Sequence, residues 1–165
     1  MNYKDINIQA CYESGTCDII EDFYEPVLMS SVSYDRIAGF FSSSSLAIAS
    51  RGLYGFIQNH GKMRLITSPI LSDDDADVIQ KVAESPDTLT ETDLGINLAD
   101  ICNEFVDNHI KALGWMLRLG LLEMKLAVVT NNDGKPCNAT EVRNSGLFHQ
   151  KIGVFFPICF CQVRS

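Results

Sequence analysis

Tyr34-Asp35-Arg36-Ile37-Ala38-Gly39-Phe40-Phe41, followed by four serines at 42–45, reads as a β-rich run that ends in a helix-capping turn. From 46 to 59 the apolar residues Leu46, Ile48, Ala49, Leu53, Phe56 and Ile57 recur at helical spacing, and His60-Gly61 supplies a C-terminal stop. Lys62-Met63-Arg64-Leu65-Ile66-Thr67 then alternates with period two and halts at Ser68-Pro69. The unit is strand, helix, strand. A helical stretch of that length between two strands predicts parallel neighbours joined by a right-handed crossover.

Upstream, Thr16 is the expected N-cap of a helix with acidic first turns and Ile19, Ile20, Phe23 and Tyr24 at helical spacing, broken near Pro26. Downstream, Ser72 with Asp73, Asp74 and Asp75 caps a helix through Val78, Ile79 and Val82 that closes at Ser85-Pro86. The longest helical pattern spans 98–119, with Ile101, Phe105, Ile110, Leu113, Met116 and Leu117, and stops at Gly120. Residues 122–129 read as a strand, Asn131-Asn132-Asp133-Gly134 as loop chemistry, and 148–155 as the last strand. This order predicts an α/β fold, a mixed or parallel sheet flanked by helices.

A chain of 165 residues with 46% hydrophobic content fits one domain with its own core. No window approaches the run of about 18 apolar residues that a membrane span requires. The N-terminus has neither an export nor an organelle-targeting pattern, so a cytoplasmic location and no membrane partner are expected. Six cysteines without a CxxC pair read as reduced thiols, and no metal or other cofactor is implied. Asn138-Ala139-Thr140 matches a glycosylation acceptor but reads as loop. The net charge of −8 is uneven. Residues 1–109 carry 6 Lys+Arg against 18 Asp+Glu, whereas 110–165 carry 7 against 3. The basic excess falls where a phosphate site would need it.

In that basic segment, Phe148-His149-Gln150-Lys151-Ile152-Gly153-Val154-Phe155-Phe156 holds the candidate chemistry. Residues two apart on a strand project from one face, so His149, Lys151 and Gly153 are expected together, with Phe148, Gln150, Ile152 and Val154 on the other. An imidazole beside an ammonium, with a glycine leaving room, suits a phosphate. The apolar side is expected to seek the core and leave His149 and Lys151 at an open edge.

This strand resembles the first HxK signature of the phospholipase D superfamily. Residues 34–47 followed by 61–69 resemble the N-terminal phospholipase D-like domain found ahead of DEAD/DEAH-type helicase modules. The resemblance covers about 18–156 and implies a phosphodiesterase or nuclease domain of a DNA-processing helicase-nuclease. His149 would be the nucleophile that forms a phosphohistidine, and Lys151 would neutralise phosphoryl oxygens. A second HxK motif would supply the acid for the leaving group. The implied partner is nucleic acid, DNA rather than RNA, contacted through phosphate.

The chain also departs from the family pattern. Phe156 and Pro157 stand where a supporting Asp is expected, and no Gly-Ser-x-Asn stretch follows. Residues 1–156 are therefore read as an incomplete phospholipase D-like domain, and 157–165 as a tail from truncation or frame shift, inactive alone and poorly packed. A homodimer would bring two copies of His149 together. His60-Gly61-Lys62 repeats the letters of HxK, but Gly61 is expected to end a helix there in the left-handed conformation. His109 is expected mid-helix and partly exposed. The alternative function is a non-catalytic phosphate or nucleic-acid binding module, or a product without independent function.

Overall fold

The computed structural model describes residues 3–13, 15–84, 107–137 and 149–158. The expected parallel pair forms as read. Strand β1 (Ser31–Ala38) lies parallel to β2 (Lys62–Thr67), with Tyr34 beside Met63 and Ala38 beside Thr67. A third strand, β3 (Leu122–Leu126), continues the parallel set beside β2. The last, β4 (Lys151–Pro157), returns antiparallel on the other side of β1. The spatial order is β3-β2-β1-β4, a mixed sheet in an α/β fold.

The helices are α1 (Glu25–Met29), α2 (Ser44–Ile48), α3 (Ser50–Gln58), α4 (Asp73–Glu84) and α5 (His109–Arg118). Alternation in β2 shows which face of the sheet they cover. Met63, Leu65 and Thr67 are buried, whereas Lys62, Arg64 and Ile66 are exposed. The core lies on the first side, where Phe56, Leu53, Ile57, Leu28, Leu113, Met116 and Leu122 close over the strands.

Several boundaries move, each for a local reason. Thr16 does not cap the first helix, because its hydroxyl donates back to the Glu13 carbonyl. Asp18 takes that role and accepts from the amides of Ile20 and Glu21. A π-helical turn (Ile20–Tyr24) then precedes α1, whose second residue is Pro26. A wide turn there accommodates the missing Pro26 amide hydrogen without ending the helix. The period expected to run unbroken over 46–59 splits at Ala49, which has φ −98° and ψ 22°. The break lets α2 lie along α5 while α3 packs on α1. Ser72 caps α4 as expected, its hydroxyl accepting from the Asp75 amide.

The strand ends follow their partners rather than their own composition. The first strand occupies 31–38 instead of 34–41, ending with a bond from the Gly39 amide to the Gln150 carbonyl. The third stops at 126 because β2 ends at Thr67 and offers only one more carbonyl, taken by the Ala127 amide. The last begins at 151 and runs to 157. Pro157, expected to lie in a loosely packed tail, closes β4 opposite Ser31. A register shift between Ser31 and Ser33 precedes it, and the Ile158 amide still reaches the Ser30 carbonyl. Residues 159–165 lie outside the described set, as do 98–106 of the long helical pattern. Cys11, Cys17 and Cys137 are free thiols. Among the described residues no helix is long and apolar enough to cross a membrane.

Two backbone positions carry opposite predictions. A Cβ on Gly52 would stand 2.9 Å from the Glu25 Cα, so α1 and α3 touch through that glycine. His60, not Gly61, adopts the left-handed conformation after α3, with φ 55°. Gly52→Ala is expected to lower stability by about 1–3 kcal/mol through overpacking. His60→Gly is expected to raise it by up to about 1 kcal/mol by relieving backbone strain. Thermal unfolding of the two variants checks both signs.

Candidate phosphate site

Four chain segments meet beyond the carboxyl ends of the parallel strands. They are the loop after β1, the loop after β2 leading into α4, the start of α5, and the chain entering β4. The chain lays β1, β2 and β3 side by side in one direction, then crosses back to set β4 on the opposite flank of β1. Ligands of open α/β sheets bind outside the carboxyl ends of the parallel strands, and β4 enters at that edge, antiparallel beside the end of β1. His149 and Lys151 arrive at that point, both exposed. Lys151 is the first strand residue and sits opposite Ala38, near the end of β1. His149 precedes the strand by two residues.

The faces of β4 are the reverse of those expected. Ile152, Val154 and Phe156 are 52%, 46% and 45% exposed, on the bare side of the sheet. Phe155 instead turns toward the helices and stacks on Tyr34 with ring centroids 4.1 Å apart and planes 6° from parallel. Phe23 and Tyr24 meet the same ring edge-on, at 5.7 and 6.2 Å. Lys151 and Gly153 share the face of Phe155 by alternation. The space beside Gly153, expected to receive a ligand, belongs to Tyr34. A Cβ on Gly153 would stand 3.2 Å from the tyrosine ring. Sequence reasoning placed the apolar residues in the core by type, whereas aromatic stacking selected the other face.

The bare side carries a shallow groove of about 330 Å³ bordered by Asp35, Arg64, Ile66, Ile152 and Val154. The Arg64 guanidinium donates to both carboxylate oxygens of Asp35 from the neighbouring strand. Glu123 and Lys125 add an exposed pair at 3.1 Å.

A second polar cluster escaped the sequence reading. His109 is not mid-helix. It opens α5 behind Asn108, whose side chain accepts from the Lys111 amide, and its Nδ1 lies 2.7 Å from the Ser43 hydroxyl. The Ser43 amide donates to Asp75, a fully buried carboxylate in the first turn of α4, where the helix dipole favours negative charge. Its second oxygen, Oδ1, has no hydrogen-bond partner among the described residues. The serine loop is thereby tied to two helices at the carboxyl edge. The serine run was visible in the sequence, but nothing local joins residue 43 to a histidine 66 positions away.

Arg36 is the other residue the sequence reading passed over. It sits between Tyr34 and Ala38 on the helix side of β1, half-buried and opposite Gly153. Among the described residues, no group of three or more His, Cys, Asp or Glu is placed to hold a metal ion. Comparison of the chain with protein-family models, curated sequences and solved structures returned no match.

Burial pushes the Tyr34 phenol up to about 12, against the lowering influence of Arg36. The folded state therefore favours the protonated phenol. Its contribution is complete below the unfolded value near 10 and is lost as pH rises through about 12. Chemical denaturation between pH 9 and 12 is expected to show stability falling in that window, and Tyr34→Phe is expected to flatten part of the fall.

Proposed function

We propose that the protein is the N-terminal part of a phospholipase D-like phosphodiesterase domain acting on nucleic acid, with His149 as nucleophile and Lys151 as phosphate clamp. The observation that carries this reading is the delivery of both side chains, exposed, to the carboxyl edge where the strand order doubles back. A parallel set of strands with a connected serine loop at the same edge supports it.

Each side chain has a chemical task. The His149 imidazole attacks phosphorus, a P–N bond forms, and the P–O bond to the departing nucleoside oxygen breaks. Lys151 offsets negative charge on the non-bridging oxygens as it builds. The departing oxygen needs a proton, and water must later cleave the P–N bond. Both steps call for a second acid-base group, supplied by a second copy of the chain or by a further HxK segment of a longer parent. DNA is the expected polymer, since the resemblance points to helicase-linked domains.

A non-catalytic phosphate-binding module is the second reading, and one observation favours it. Where the supporting carboxylate is expected, Phe156 and Pro157 are strand residues paired with Ser33 and Ser31. No carboxylate from those positions can orient His149.

A demonstrated monomer is expected to give negligible cleavage of DNA in the presence of a chelator. In the form that does cleave, dimer or longer parent, His149→Ala should abolish turnover while leaving oligonucleotide binding largely intact. Lys151→Ala should weaken both, because the ammonium also holds the ground-state phosphate. Cleavage assays paired with fluorescence-anisotropy binding distinguish the outcomes. Unchanged cleavage by the His149→Ala protein would remove the mechanism.

A further inference from the structure

We infer that Arg36 is a second anchor for the phosphodiester, acting beside Lys151 across the β1–β4 ladder. The inference rests on the reading of Lys151 as a phosphate contact and adds a residue that neither motif nor resemblance assigns. Its basis is register. Lys151 pairs with Ala38 and Gly153 with Arg36, so Arg36 and Lys151 are diagonal neighbours on one face of an antiparallel ladder. Such diagonal positions lie about 7–8 Å apart, within reach of two long side chains. Both can therefore converge on one tetrahedral anion.

Among the described residues, no carboxylate competes for the guanidinium. Glycine at 153 puts no side chain opposite Arg36, and the Tyr34 ring fills the space over that glycine. Arg36 also lies near enough to the buried Tyr34 phenol for its positive charge to lower that group's titration. No carboxylate among the described residues forms an ion pair with Arg36, in contrast to Arg64 two strands' width from β4, whose fork is filled by Asp35. An arginine fork accepts two oxygens of a phosphate at once, which a lysine cannot. The pair would thus divide the work: Lys151 a point charge at the strand end, Arg36 a bidentate contact that fixes the orientation of the diester.

The test uses the whole chain with two probes, inorganic phosphate and a short single-stranded DNA oligonucleotide. Binding is measured for the wild type, Arg36→Gln, Arg36→Lys and Lys151→Ala, with a melting temperature for each. Arg36→Gln is expected to weaken both probes by about tenfold, the loss of one charge-assisted contact. Arg36→Lys should recover part of that loss. In the wild type, the Arg36 Nε–H resonance is expected to shift on titration with phosphate, a readout that needs no variant to fold. If Lys151→Ala weakens binding while Arg36→Gln binds like the wild type and the Arg36 resonance stays still, the inference is overturned and the role of Lys151 stands. If the wild type binds neither probe, both fail.

Discussion

The stacking of Tyr34 on Phe155 is the contact on which the β4 flank of this protein depends. Strand pairing alone leaves β4 free to present either face to the helices, since a one-residue slip exchanges them. A tyrosine at 34, clearance at Gly153 and a phenylalanine at 155 remove that freedom, with Phe23 and Tyr24 closing the ring's edges. Area burial and ring geometry act together here, and aromatic pairs of this kind are worth about 0.5–1.5 kcal/mol beyond their buried area. The facing of Lys151 toward the helices, and so toward the carboxyl-edge loops, follows from that one choice.

The same choice leaves the opposite face of the sheet uncovered among the described residues. Parallel sheets are usually buried on both sides. Here β1, β2 and β3 are parallel, yet Arg64, Ile66, Glu123 and Lys125 are exposed on the bare side, with Ile152, Val154 and Phe156 beside them. The surface is divided, charged along β2 and β3 and apolar along β4. The Asp35–Arg64 pair joins the two parts and is open to solvent, so its contribution to stability is small.

At the carboxyl edge, order comes from polar contacts between distant segments. Asp75 is a buried carboxylate held at a helix N-terminus and bonded to the Ser43 amide, while Ser43 also meets His109. Removing one partner from such a cluster costs more than the net worth of the bond, because a buried polar group is left unpaired. The loop after β1 is consequently fixed on α4 and α5 at the carboxyl edge of the sheet.

Elements whose signals are local were legible in the chain alone. Period two in 62–67 set β2 to the residue, the serine and aspartates at 72–75 started α4, and the long spacing between two β-rich runs implied a parallel crossover. The arrival of Lys151 at the start of a late strand was also legible, whereas His149 falls two residues before that strand, where period-two alternation no longer fixes its direction. Tertiary structure decided what depends on partners. It moved β1 by three residues to match β4, broke the 46–59 helix so that two halves could pack on different neighbours, and turned Ile152 and Val154 outward. It also joined Ser43 to His109 and set Arg36 opposite Gly153. Hydrophobic type and periodicity say that a residue suits a strand or a helix, but which face is buried is settled only by the side chains waiting across the interface.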